Sequence, residues 1–311
     1  VDAQLYATLD KAWKSTCRVL FGQEIGELKE YEKWLAAYLE QHWDAVSCKS
    51  GTSVAVASND YAQGSRFVAF DEIDFAQKAK PLNLNEIKDI DSIARAVKER
   101  AVYCGNIVLG NSKCVDGSSN IADSHFVSKS SMVNESKYVF SSEKIRTCEH
   151  EFGVNTDAHS KFSIMCTASH GNCRAFESHM CWDCADIYYC SRAINCADCM
   201  FCFGAQSKRH AIGNLELPRE KYARTKEMLL SQIAGELRAK KRIFSLFDIV
   251  AEAGKYGKPL GISLPKNRQM QANRARIEEA FSKTCEIVLG RRLEGIDSYG
   301  EFLQNHVPKN K

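Results

Sequence analysis

Between Asn106 and Cys202 the small and apolar positions recur every six residues. Stepping by six from Asn106 gives Ser112, Ser118, Ser124, Ser130, Ser136, Ser142, Cys148, Val154, Ser160, Cys166, Asn172, Ser178, Cys184, Cys190, Cys196 and Cys202, so 14 of 17 positions are Ser or Cys. Three residues out of phase, Leu109, Val115, Ile121, Val127, Val133, Val139 and Ile145 are all aliphatic, and after an interruption Ala175, Cys181, Ile187, Ala193, Cys199 and Ala205 resume the slot. A short fixed period predicts a solenoid. Every third residue then points inward, small alternating with medium aliphatic, and the interior is too narrow for Leu–Phe packing. At two repeats per coil and a strand spacing of about 4.8 Å, the segment predicts roughly eight coils about 38 Å tall.

Outside this segment the spacing turns helical. Gln4 to Leu20 predicts a helix stopped by Gly22, and Glu27 to Gln41 a second. Short strands are expected within residues 53–74, and a helix capped by Asp91 running to Lys98. Pro218 opens a helix to Lys241 with a stripe of Tyr222, Leu229, Ile233 and Leu237. Further helices are expected at Ser245 to Ala253, Met270 to Leu289 and Ser298 to His306. The fold class is therefore α+β, a narrow parallel β-helix flanked by helical modules. Its parts are residues 1–50 (helical), 51–105 (strands and a helix leading in), 106–207 (the β-helix) and 208–311 (helical). The terminal modules are expected to cap the open strand edges.

The two ends echo each other. Residues 12–35 align without gaps to 280–303, matching Ala12, Thr16, Cys17, Gly22, Tyr31 and Leu35 to Ala280, Thr284, Cys285, Gly290, Tyr299 and Leu303. A 25-residue unit cannot bury its own apolar stripe. Trp13, Tyr31 and Trp34, with Phe281, Tyr299 and Phe302, are therefore candidate assembly residues, the more so because the solenoid's outward positions read as mostly polar (Lys129, Glu135, Lys137, Glu143).

The inward Ser/Cys ladder resembles that of insect antifreeze β-helices over about 100 residues, at the level of the repeat. Their outward Thr-x-Thr array is missing, so the resemblance does not extend to ice binding. Hexapeptide-repeat acyltransferases place Gly after the aliphatic residue, where this chain has Ala122, Ser128, Asn134, Phe140 and Arg146. Iron–sulfur assembly scaffolds also set a β-helix between helical ends, a likeness of architecture alone.

Two clusters invite a metal reading. Cys181, Cys184, Cys196 and Cys199 form Cys-x-x-Cys pairs, spacing that suits zinc or an iron–sulfur cluster. The same spacing follows from the inward register, which makes them buried thiols, and a disulfide reading stays open beside it. Between Cys148 and Asn172 the aliphatic slot holds Glu151, Asp157, Ser163 and Ser169. Unpaired charges do not point into a dry core, so the coil is expected to leave its regular path there. His150, Asp157, His159 and His170 then become a candidate metal or acid–base site, against the plainer reading of an exposed loop.

Net charge is +3, with 19 Lys/Arg against 12 Asp/Glu from Glu216 onward. Arg238, Lys240, Lys241, Arg242, Arg274 and Arg276 are the candidate nucleic-acid contacts. No apolar run reaches the ~18 residues of a membrane span, the first 15 residues do not read as a signal peptide, and a cytoplasmic setting with reduced thiols is expected. No phosphate loop, nucleophile elbow or zinc-protease motif is present. The leading expectation is a non-enzymatic scaffold, without a cofactor, that assembles with itself through its helical ends. A zinc or iron–sulfur protein, or an RNA- or ribosome-associated factor, are the alternatives.

Overall fold

The computed structural model describes residues 2–39, 44–62, 64–78, 81–256 and 273–304. They form two compact units, residues 1–252 and 253–311. The first is built around a β-solenoid spanning 108–212, of about nine coils with 12 residues each.

Most coils lay a four-residue strand in each of two parallel sheets, the second sheet thinning to bridges in the last coils. Val127 pairs with Val115 below and Val139 above; across the interior Val133 pairs with Ile121 and Ile145. All of these except Val115 are buried. The first sheet runs from Lys113–Asp116 to Arg209–Ile212, and the second from Val108–Leu109 to Thr167–His170, continuing as bridges through His179, Trp182, Ile194 and Phe203. The expected ladders therefore stand in register.

The corners explain the Ser/Cys slot. There the backbone turns and its N–H points inward, away from any strand partner, where an orphan donor is costly. The corner side chain one coil below accepts it: Ser136 N–H donates to Ser124 Oγ at 3.0 Å and Ser142 N–H to Ser130 Oγ at 3.1 Å. Each hydroxyl in turn donates to the carbonyl two residues back, as Ser130 does to Ser128. Asn172 serves the same purpose for Cys184 N–H, and Cys184 Sγ for Cys196 N–H. Residues of the right size that accept a hydrogen bond are thus selected at most corners, Val154 being an exception.

The backbone has its own period of three. The residue before each inward position is left-handed, as at Phe126 (φ 57°), Lys129 (φ 50°), Met132 (φ 53°) and Glu135 (φ 50°). Few of these are glycine.

Helix α1 (Ala3–Phe21) begins at Asp2, whose side chain accepts from Gln4 N–H, and stops at left-handed Gly22. Its stripe of Leu5, Leu9, Trp13, Leu20 and Phe21 is buried. It lies across the first sheet on an outward column of Phe140, Phe152, Ile164, Phe176 and Tyr188, all buried. Trp13 meets Phe152 at 5.4 Å and Phe21 meets Phe176 at 5.0 Å. The expectation of a mostly polar flank was wrong on this face. Its apolar residues occupy the last position of each strand, twelve residues apart, a spacing that hides the column in a linear reading.

The expected helix from Glu27 to Gln41 is broken into a 3-10 turn (Leu28–Glu30), the short helix α2 (Glu32–Leu35) and another 3-10 turn (Ala36–Tyr38); residues 40–43 lie outside the described residues. Leu28, Tyr31 and Trp34 bury at a spacing of three, which suits a 3-10 turn better than an α-helix. Short strands Ser53–Ala55 and Phe67–Ala69 follow, then α3 (Phe75–Lys78) and α4 (Ile90–Arg100), the latter capped by Asp89 rather than Asp91. After the solenoid, Pro218 is the N-cap of α5 (Arg219–Lys240), which buries Tyr222, Ile233 and Leu237. Helix α6 (Leu246–Tyr256) completes the first unit apart from its last turn.

Among the described residues, strands and asparagines close the solenoid's two open edges. At the start, Asn106 N–H donates to Ala55 O at 2.9 Å, while Asn106 Oδ1 accepts from Ala55 N–H at 2.8 Å. At the end, Leu215–Glu216 folds back antiparallel, and Asn214 pairs through Oδ1 and Nδ2 with the N–H and carbonyl of Phe203, at 3.0 and 2.8 Å. Each amide imitates the strand that would come next.

The second unit contains α7 (Arg274–Leu289), a 3-10 turn (Ile296–Tyr299) and α8 (Gly300–Gln304). The expected helix start at Met270 and end at His306 lie outside the described residues.

Candidate functional site

The break in the aliphatic ladder does not break the coil. Glu151 stays in register between Val139 and Ser163, and Asp157 between Ile145 and Ser169. Both are buried in the interior, which overturns the expectation that they leave it. The cell they form is lined with hydroxyls: Ser160 Oγ donates to Asp157 at 2.6 Å, and Ser163 lies against both carboxyls. Burial pushes Glu151 well above the usual carboxylate range, with Asp157 opposite adding to it, and raises Asp157 to about 7. The expectation failed because it assumed two charges, whereas burial favours the neutral form of both acids.

The histidines of the break are dispersed. His150 stacks outside the first sheet between Tyr138 and Phe162, at 4.8 and 4.7 Å, and its Nδ1 lies 3.1 Å from Thr16 Oγ1 of α1. Burial holds its pKa down, so it packs as a neutral ring. His159 and His170 meet edge to face at 5.2 Å on the outside of the second sheet. Asp157 is inside. The four residues proposed to share a metal or acid–base site thus occupy three different surfaces.

All fourteen cysteines are free thiols. Cys181, Cys184, Cys196 and Cys199 are buried in the interior, with Cys190 and Cys202 among them. Burial raises Cys181 to about 12 and Cys184 to about 11, and the sulfurs are engaged with backbone: Cys181 donates to His179 O and Cys184 to Trp182 O. Among the described residues no three His, Cys, Asp or Glu side chains converge as a metal would require.

The helical echo is closer in three dimensions than in sequence. Gly22 (φ 72°) and Gly290 (φ 69°) end α1 and α7 in the same left-handed conformation. Asp10 accepts Leu28 N–H in the first unit, and Glu278 accepts Ile296 N–H at the same place in the second. Thr16 and Thr284 donate to Ala12 O and Ala280 O. The ring pairs Trp13–Tyr31 and Phe281–Tyr299 lie at 5.1 and 5.5 Å with interplanar angles of 44° and 43°. Even the ion pair closing the Gly turn recurs with its signs exchanged, Arg18–Glu24 against Glu286–Arg292. The two segments thus share a glycine stop, a carboxylate-capped turn and a ring pair at matching positions.

No protein-family model matches this chain, and no curated protein matches it. Its functional surfaces are therefore defined by its own geometry.

What separates the two modules is exposure. Leu20, Phe21, Trp34 and Leu35 are buried against the solenoid, whereas their counterparts Val288, Leu289, Phe302 and Leu303 are 71, 56, 62 and 43% exposed. Phe281 and Tyr299 are half-buried.

The basic candidates have mixed surroundings. Lys241 pairs with Glu30 at 2.9 Å beneath Tyr31, Lys240 with Glu236, and Arg274 with Asp297. Arg238 and Arg242 flank the same helix end, while Arg276 lies in the second unit.

Two charged features went unnoticed in the sequence. Arg174, Asp186, Asp198 and His210 stack twelve residues apart outside the first sheet; Lys226 of α5 reaches in to Asp198 at 3.1 Å and Asp186 at 3.6 Å, under Tyr188 and Tyr222. Asp186, Asp198, His210 and Lys226 line a groove of about 900 Å³ with Arg18 and Arg219. Fully buried Glu177 accepts from Tyr38 OH at 2.6 Å and Leu246 N–H at 2.9 Å, and burial raises it to about 8. A twelve-residue comparison would have found the stack; Glu177 left no such signal. Among the described residues no helix is long and apolar enough to cross a membrane.

Proposed function

We propose that this protein is a non-enzymatic scaffold, a rigid β-helix that assembles with copies of itself through its helical modules. The reading rests on two similar modules, one with its apolar face covered by the solenoid and the other with Val288, Leu289 and Leu303 exposed. Three exposed apolar side chains on one small unit are a feature of the kind that marks interaction surfaces. The scattered positions of His150, Asp157, His159 and His170 support a structural role over a catalytic one.

The test is native mass measurement with light scattering across the micromolar range. The wild type is expected to self-associate with rising concentration, and Val288→Glu to remain monomeric with an unchanged far-ultraviolet spectrum. A wild type that stays monomeric throughout overturns the reading.

A further inference from the structure

We propose that the interior cell around Glu151 and Asp157 is a binding site for one water molecule, sealed between two coils of the solenoid. Glu151 and Ser163 are 0% exposed and Asp157 is 2% exposed. Ser163 follows Glu151 in the register of the first sheet, and Asp157 occupies the matching slot of the second. Asp157 Oδ1 is satisfied by Ser160 Oγ at 2.6 Å. Among the described residues, Asp157 Oδ2, both carboxyl oxygens of Glu151 and Ser163 Oγ have no hydrogen-bond partner. So many orphaned oxygens in one closed cell need an explanation, because a buried polar atom left unpaired is costly.

The groups themselves select the guest. A neutral carboxyl and a hydroxyl each carry one O–H donor as well as acceptors. A water molecule can accept from the O–H of Glu151 and of Ser163 and donate to Asp157 Oδ2. A buried water typically makes about three bonds of this kind to groups that would otherwise be unpaired. A metal ion is a poorer match, since among the described residues no third acid, His or Cys joins the two carboxyls.

Side-chain size along the ladder gives the guest its place. Val127, Val133, Val139 and Ile145 fill the inward slots before the acids. Ser163, Ser169, Ala175 and Cys181 fill those after them, and each is smaller than the aliphatic residues of the earlier coils. The extra length of Glu151 and Asp157 is thus met by two slender coils. Apolar cavities stay dry, whereas a polar one holds its water. Hydration is therefore confined to this cell, between Val139 and Ile145 on one side and Ala175 and Cys181 on the other. The water leaves only when those coils part.

A water held for longer than the protein takes to tumble adds a step to the magnetic relaxation dispersion of the solvent, and the size of that step counts such waters. Wild type is compared with the triple variant Glu151→Val, Asp157→Ile and Ser163→Val, which carries the aliphatic ladder through the cell. The variant is expected to lose one long-lived water and to keep the wild-type far-ultraviolet spectrum. Equal counts in two folded proteins, or a loss of more than one, overturn the single sealed water. If the variant does not fold, a crystal structure of the wild type decides. A solvent peak within hydrogen-bond distance of Glu151, Asp157 and Ser163 supports the site. The three side chains bonded directly to one another, or a metal ion in the peak, overturn it.

Discussion

Left-handed residues at every third position place an energetic load on individual side chains. For an L-residue this conformation costs roughly 1–2 kcal/mol, most of all with a branched Cβ. Thr156 carries it at φ 64° with an exposed side chain, so Thr156→Gly should raise stability by about 1 kcal/mol in urea unfolding, after allowance for glycine's freer unfolded chain. The interior carboxyls act through pH. Asp157 and Glu177 are raised to about 7 and about 8, and Glu151 moves the same way. An acid whose folded pKa lies above its unfolded value adds stability at low pH and loses it as pH rises through the folded value. Unfolding free energy should therefore fall between about pH 4 and pH 8, and Asp157→Asn should flatten the part of that slope below about pH 7; a pH-independent wild type would remove the buried-acid account. The inward residues were legible because side-chain size alternates along them. The left-handed ones were not, because a backbone constraint met by Phe126, Lys129 and Thr156 alike leaves no common letter. The carboxyls were misplaced because the letters Glu and Asp do not record protonation.

Among the elements, the first module and the column beneath it depend on each other. Phe176 supports Phe21, Trp34 and Tyr189 at once. Phe176→Ala should cost about 3–5 kcal/mol, measured by denaturant unfolding, with most of the loss at the seat of α1 and little within the coils. A variant near wild-type stability would mean that the helix does not rely on this column. Helices α1 and α7 were readable from their periodicity and glycine stops. The segments after them were misread because Leu28, Tyr31 and Trp34, like Ile296, Tyr299 and Phe302, recur at a spacing of three, which an α-helical template absorbs too readily. The apolar column itself was obscured because its residues stand twelve apart, and only the coil length brings Phe140, Phe152, Ile164 and Phe176 together.

For the whole molecule, the ends decide whether stacking stops. Asn214 takes the place of a further strand at Phe203, and its own φ of 65° suits asparagine. Asn214→Ala should cost about 2 kcal/mol from the lost pairing and the left-handed strain, and the uncovered edge should increase aggregation on storage, read by turbidity. Unchanged solubility and stability would show that the returning strand suffices. The corner thiols have a consequence of another kind. Cys48 and Cys114 are exposed, Cys104 and Cys173 half-buried and the other ten buried, while the column from Cys181 to Cys202 spans the last coils beside that Asn214 end. An alkylating reagent should consume two thiols quickly in the native protein, and each buried thiol of the solenoid only when its coil parts from its neighbour. Followed site by site, the labelling times would report the order in which the coils come undone, and they should reveal whether the column opens from the Asn214 end or all at once.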